Sequence, residues 1–436
     1  MTDQRLKRES SGERMHAFAS TLFPLCRSIT GDGVRETLRR ISERIPLTQH
    51  EVPSGTRVFD WTVPDEWNIR DAYVADEEGN RVIDFRESNL HVVGYSEPVR
   101  TTMSLTELRP HLHTHPDNAD WIPWRTSLYK RDWGFCLARS RLDELSEGRY
   151  DVVIESTLEP GALTYGECHI PGEVDEEVLI TTHVCHPSLA NDNLSGIALL
   201  TELAELLATT PRRLSYRLLF IPSTIGSLTW LARNDEHLGL IKAGLVVACV
   251  GDSGPISYKR SRRGDAPVDA AAAHVVAGEY DGRVLDFIPW GWDERQFNSP
   301  GFDLPVGCLT RSREGEFAEY HSSADNLDLI EPRFLEESLQ ATLEILDILE
   351  GNRTYTSLSP YGEPNLGSRG LYRAVGGGDA ASEQLAILWV LNQADGSHSL
   401  LDVATRSGLS FRQIRKAADD LAAVGLLTES AGGGRA

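Results

Sequence analysis

The chain has 436 residues, 40% hydrophobic and 25% charged, with 37 Gly and 21 Pro scattered through it, the composition of a globular enzyme of two or three domains rather than a fibre or a disordered chain. Its formal charge of −22 repels phosphate backbones, so nucleic acid is an unfavourable partner. No apolar run is long enough for a bilayer, the first residues lack the apolar core of a signal peptide, and the six cysteines stand singly without CxxC pairs, which predicts a reduced, cytoplasmic protein with no membrane partner.

Residues 13–44 carry helical periodicity interrupted at LFPLCRSITGDG by Pro24, Gly31 and Gly33, which predicts two helices covering part of a sheet. From residue 56 to 149 the texture changes to short alternating strands and many aromatics (RVFDWTVPDEWNIRDAYV, WIPWRTSLYKRDWGF), read as an inserted β-rich domain whose Trp-rich faces shape a cleft. Inside it HLHTHP places His111, His113 and His115 in alternation; the following Pro116 and DNAD argue for an exposed turn rather than a metal site.

Strand and helix then alternate from 150 to 355 (YDVVIEST, EVLITTH, IALLTELAELLATT, YRLLFIP, SLTWLARN, AGLVVACV, LPVGCLT, PRFLEESLQATLEILDILEG). Such alternation predicts a mostly parallel, helix-flanked sheet, with residues 1–55 and 150–355 forming one discontinuous catalytic domain. Ligands of such sheets bind at the carboxyl ends of the strands.

Two motifs fall on those ends. TTHVCHPSLANDNLSG, residues 181–196, joins a strand to a helix and gathers His183, His186, Asn191, Asp192 and Asn193. Helix capping accounts for Asn193 and Ser195 but not for two imidazoles, whereas a borderline-soft divalent ion seeks neutral imidazole and carboxylate donors with a position left open for water. EYHSSADNLDLI, residues 319–330, follows strand LPVGCLT and brings His321 and Asp325 to the same rim, completing a set of two His and one carboxylate. A third cluster, YKRSRRGD at 258–265, is either a solvated loop or the source of an arginine, such as Arg262, that clamps a substrate carboxylate.

The Gly- and Pro-rich stretch 356–380 reads as a linker, and 381–436 as a winged helix: helix SEQLAILWVLNQA, short helix SLLDVATRSG, helix SFRQIRKAADDLAAVG and a small terminal hairpin. Residues 382–430 hold four Lys or Arg against six Asp or Glu, which favours a packing or protein-contact role over DNA reading.

THVCHPSLANDNLSG, CVGD, DERQFNSPGFDLPV and EYHSSADN resemble the aminopeptidase-like zinc exopeptidases, in the branch with an inserted β domain and a C-terminal winged helix-turn-helix domain. The resemblance covers nearly the whole chain and implies an α/β fold with a helix-flanked mixed sheet. It implies zinc on His186 or His183 together with Asp192 and His321, and a cleft lined by Asp252, Glu294 and Arg295; the departure at Ser223 favours one ion per chain over two. One departure stands out: where related proteins read FIPETIGS, this chain reads FIPSTIGS, with Ser223 replacing the acidic residue that exchanges protons with the metal-bound water in the wider group. Glu319, Asp252 and Glu294 are the candidate substitutes for that base. Tyr320 and Arg295 are candidate oxyanion stabilisers, counted with Arg262, Asn193 and Ser223 as substrate contacts.

The expected activity is zinc-dependent hydrolysis of an amide bond in a small molecule or short peptide. A specialised amidase or deacylase for one metabolite, and a non-catalytic regulatory protein working through its winged helix, are the alternatives, and self-association into a homo-oligomer is left open.

Overall fold

A computed structural model describes residues 10–128, 130–371 and 378–430. The chain divides into two compact units, residues 1–269 with 276–342, and residues 270–275 with 343–436.

The first unit is built on an eight-stranded sheet in the order Thr48–Pro53, Ala162–Ile170, Ser215–Ile221, Glu177–His183, Ile241–Val247, Val306–Thr310, Ser257–Lys259, Arg283–Leu285. The four strands from Ser215–Ile221 to Val306–Thr310 run parallel, and antiparallel pairings flank them, so the sheet is mixed. Every residue of Glu177–His183 and Ser215–Ile221 is buried, as expected where helices cover both faces and the sequence reads as a continuous apolar run. Helices Ser11–Leu22 and Asp32–Ser42 form where the N-terminal periodicity predicts them, the first closed by a Ser10–Glu13 capping box. The parallel strands end at His183, Ile221, Val247 and Thr310, and the loops that leave them carry the motifs of interest.

The inserted module has its own four-stranded antiparallel sheet, ordered Arg81–Asp84, Glu66–Ala75, Arg149–Glu159, Val99–Ser104, over an apolar core that includes Trp67, Val74, Leu105, Phe135 and Ile154. It therefore extends past residue 149: YDVVIEST, expected in the main sheet, pairs with Glu66–Ala75 and Val99–Ser104 instead. Arg35, on helix Asp32–Ser42, grips Glu66 at the root of this module through two 2.6 Å hydrogen bonds, and Glu66 also accepts from the Ala162 amide.

In the second unit, helices Gly378–Gln393, Leu400–Ser407 and Phe411–Ala423 accompany a three-stranded sheet. Its central strand is Thr354–Ser357, flanked by Asp395–Ser399 and Leu427–Glu429. The stretch expected to open a linker thus begins with a strand, and the terminal strand pairs with it rather than forming a hairpin of its own.

Candidate metal centre

Strand Glu177–His183 delivers His183 to the rim, and the chain then turns irregularly through Ala190–Ser195 before helix Gly196–Ala208. The polar residues of this turn are wholly buried and each has a task. Asn191 donates to Asp252 Oδ2 at 2.6 Å and accepts from the Gly251 amide at 2.9 Å. Asn193 donates to Thr182 Oγ1 at 2.7 Å and accepts from the Cys249 amide at 3.2 Å. Ser195 accepts from the Val250 amide at 3.0 Å. Asn191, Asn193 and Ser195 thus stitch the turn to the loop after Ile241–Val247. From the other side the Asp325 carboxylate accepts from the amides of Asn191 and Asp192 at 2.6 and 3.0 Å, and burial pushes it up to about 8. What this scaffold aims is Asp192.

Asp192 Oδ1 lies 2.8 Å from His183 Nε2, while Oδ2 lies 3.0 Å from His321 Nε2 and 3.9 Å from His186 Nε2. Ligand atoms of His183, His186 and Asp192 all fall within 4.8 Å of one another. Burial opposes the Asp192 charge, yet the surrounding His186, His183 and His321 rings hold its carboxyl well below the usual range. Burial drives His186 down to about 3, so its imidazole is neutral and able to ligate. Two atoms at the centre, Asp192 Oδ2 and His321 Nε2, are buried without a hydrogen-bond partner. A carboxylate and the imidazoles of His183, His186 and His321 converging at one buried point, with a carboxylate oxygen and a ring nitrogen lacking a hydrogen bond, are the donor set of a transition-metal ion such as zinc, so the residues fit that group.

The inserted module closes over this point. Its segment Ile122–Trp124 meets Ser322 and Ser323 through a β-bridge and two hydrogen bonds. The Trp124 amide donates to the His321 carbonyl at 2.7 Å, fixing His321 at φ +55°, an uncommon backbone state for a residue with a side chain. The Trp124 ring centroid stands 4.5 Å from those of both His186 and His321, and Tyr320 stacks on His321 at 3.9 Å.

The remaining expected residues separate into those at the cluster and those engaged elsewhere. Ser223 donates to Asp293 Oδ1 at 3.1 Å, and Ser227 donates to the same oxygen at 2.9 Å. Arg295 contacts Thr224 Oγ1 at 3.3 Å, which keeps it beside the loop of Ser223. Asp252 is buried and accepts from Asn191, Ser312 and the Gly254 amide, a positioning role with little capacity left for proton transfer. Glu294 is buried against Lys259 at 2.5 Å, and burial raises its carboxyl. Glu319 is partly exposed, one residue before Tyr320. Asn193 spends both ends of its amide on the scaffold rather than on a substrate. Arg262 pairs with Asp303 at 2.9 Å on the surface, which favours the solvated-loop reading of its cluster. In HLHTHP, His111 stacks on Trp133, His113 meets Arg125 at 3.0 Å and His115 accepts from two backbone amides, three separate structural duties.

Three contributors were not legible beforehand. Asp293 is buried, and burial raises its carboxyl against the opposing influence of His183, Ser227 and Ser223. Its only signal was adjacency to Glu294 and Arg295. Trp124 lies in the Trp-rich stretch expected to shape a cleft, but its place against His186 and His321 follows only from the fold. Arg27, 1% exposed, donates from Nε to the His186 carbonyl at 2.9 Å and from Nη1 to the Leu22 carbonyl at 2.7 Å.

Residues 16–352 match a family described as a domain of unknown function (DUF4910), and residues 353–429 match a winged helix-turn-helix family. A Clostridium acetobutylicum protein named for polysaccharide biosynthesis and an aminopeptidase-like domain is 54% identical over 423 residues, 96% of either chain. A crystal structure from the same organism, named as a peptidase, superposes with a TM-score of 0.92 at 52% identity, covering 96% of each chain. A zinc aminopeptidase from Bacillus subtilis shares the fold with a TM-score of 0.56 at 12% identity, over 78% of this chain and 95% of its own.

Proposed function

The chain belongs to the DUF4910 family, and from that premise and the geometry of the rim we propose that it is a zinc-dependent hydrolase of amide bonds, working on a small molecule or short peptide as aminopeptidases do. The observation that carries this reading is the convergence of Asp192 Oδ2, His321 Nε2 and His186 Nε2, the first two buried and 3.0 Å apart yet without a well-formed hydrogen bond. In it, His186, Asp192 and His321 hold one zinc ion, while His183 orients the carboxylate through Oδ1. Zinc, when bound, polarises a carbonyl and makes water acidic near neutral pH.

The protein's own groups do the rest. With Ser223 in place of an acidic residue, the carboxylate nearest that loop is Asp293, whose Oδ1 receives Ser223 and Ser227 and whose Oδ2 is left to exchange a proton. Burial favours the protonated form, which suits a group that hands a proton to a departing amine. Tyr320 and Trp124 wall the site and exclude water.

The test is elemental analysis of gently purified protein combined with a panel of aminoacyl amides, before and after chelation. About one zinc per chain, with hydrolysis lost on chelation and restored by zinc, is expected. Zinc-replete protein that cleaves no amide in the panel would leave the site without this function.

A further inference from the structure

One buried guanidinium, that of Arg27, adjoins the metal cluster without taking part in it. Arg27 Nε and Nη1 are spent on backbone carbonyls, but Nη2 is buried with no partner. No carboxylate pairs with this guanidinium among the described residues, and burial lowers it to about 10. A buried guanidinium without a counter-charge is costly by several kcal/mol, on the order of the desolvation of one ion. Arg27 lines a small cavity together with Ser28, Gly94, Trp124, Thr126 and Cys185, and none of the residues around that cavity is acidic. Trp124 is common to this cavity and to the metal cluster, and the carbonyl that Arg27 holds belongs to His186.

We propose that this cavity is an anion subsite, in which Arg27 Nη2 receives a compact carboxylate carried by the substrate. The space has room for about one water-sized group, enough to admit a single oxygen of a carboxylate. This rests on the hydrolase reading only for the word substrate: the charge, the cavity and the missing counter-ion stand without it. The specificity follows directly, namely amides that bear a free carboxylate over their neutral isosteres. The surface arginines Arg262 and Arg263 cannot serve in this way, because Asp303 already answers both.

Formate is the probe, titrated by calorimetry into the full chain in zinc-loaded and chelated forms. Saturable binding in both forms is expected, weakened at least about 10-fold by Arg27→Met, with chloride binding more weakly than formate. Because Arg27 also ties two backbone segments and its variant is at risk of misfolding, Gly94→Ala provides the second arm. A Cβ there meets Thr126 at ordinary contact distance, 3.5–3.6 Å, so the variant folds while a methyl group intrudes on the cavity. Folded wild type that binds no formate, chloride binding as tight as formate, or formate binding unchanged in Gly94→Ala overturns the proposal. On the active enzyme, the kcat/KM preference for a carboxylate-bearing amide over its carboxamide isostere should fall at least about 10-fold in Arg27→Met. Formate binding in a protein that hydrolyses no amide would sink the hydrolase reading and leave the subsite intact.

Discussion

The rim of the first unit and the surface of the second treat their charges in opposite ways. At the rim, Asp192 Oδ2, His321 Nε2 and Arg27 Nη2 are buried and unsatisfied by the protein itself. In the second unit, Arg415 meets Asp347 at 3.1 Å, Lys416 meets Asp420 at 3.0 Å and Arg353 meets Glu429 at 3.1 Å, all at least partly in solvent. A buried polar atom left without a hydrogen bond costs about 1–3 kcal/mol, a cost that a bound ligand at these atoms would relieve. Exposed pairs of the second kind are worth roughly 0–1 kcal/mol and need no ligand to explain them. The contrast separates a place built to receive a ligand from a surface that is already satisfied.

The sharpest way to break it is to remove the receiving atoms. His186→Ala and His321→Ala should each abolish zinc retention and reduce hydrolysis by about 10³-fold or more, because each withdraws a ligand facing Asp192 Oδ2. His113→Ala, whose ring serves Arg125, should retain zinc in full. Equal loss of zinc from all three variants, measured by elemental analysis, would erase the distinction between the rim and an ordinary polar surface.

A smaller effect tests the proton carrier. Asp293→Asn should keep zinc and fold while lowering kcat by about 10²–10⁴-fold, the range of a positioned acid or base. Ser223→Ala removes one of two donors to Asp293 Oδ1 and should cost much less, about 3- to 10-fold in kcat, since Ser227 remains. A collapse in Ser223→Ala as deep as in Asp293→Asn would move the proton-handling role to the serine loop itself.

How far the sequence reached follows from what a linear pattern encodes. The loop with His183, His186 and Asp192 was legible because two imidazoles and a carboxylate at a strand-to-helix junction exceed what capping needs, and the mixed helix-flanked sheet was legible from alternation. Asp293 was not, since its neighbour Ser223 is 70 residues away and only the fold joins them. YDVVIEST alternates as a strand in either sheet, and its partner strands, not its own residues, decide which sheet takes it. Thr354–Ser357 is a short polar strand at the edge of a Gly- and Pro-rich stretch, too brief to show a period of two. Asn193 was misplaced as a substrate contact because an amide that holds backbone in place and one that binds a ligand look alike in sequence.

The Arg35–Glu66 clamp gives a third, milder test, on stability rather than chemistry. The hydrogen bonds from Arg35, helped by the Ala162 amide, hold Glu66 at about 2, below the ordinary 4.5 of an unfolded carboxyl. A depressed carboxyl contributes stability that is fully present above its unfolded value and is lost as pH falls through its folded one. Glu66→Gln should therefore destabilise the protein by about 1–3 kcal/mol at neutral pH, with the gap to wild type closing as pH falls from 4.5 toward 2. Urea titrations at several pH values measure it, and a gap that does not change with pH would mean that the clamp is steric rather than ionic.

The smallest expected effect is a null, and it concerns the satisfied surface. A winged helix that reads DNA presents unpaired basic residues to phosphates, and each phosphate contact adds about 0.9 to the salt slope of binding. On helix Phe411–Ala423, Arg415 and Lys416 already have acidic partners, and residues 382–430 carry a net charge of −2. An approaching phosphate would meet Asp420 and Asp347 along with the bases, so the pairs that add little stability still weaken the electrostatic attraction on which DNA binding starts. No duplex binding is expected in a mobility-shift assay at physiological salt. Asp419→Lys with Asp420→Lys, both at positions in contact with solvent, should introduce weak, salt-sensitive binding by freeing Lys416 and shifting the net charge by +4. Salt-resistant duplex binding by the unmodified chain would show that these ion pairs open for a partner, and that local charge pairing does not mark a surface as satisfied.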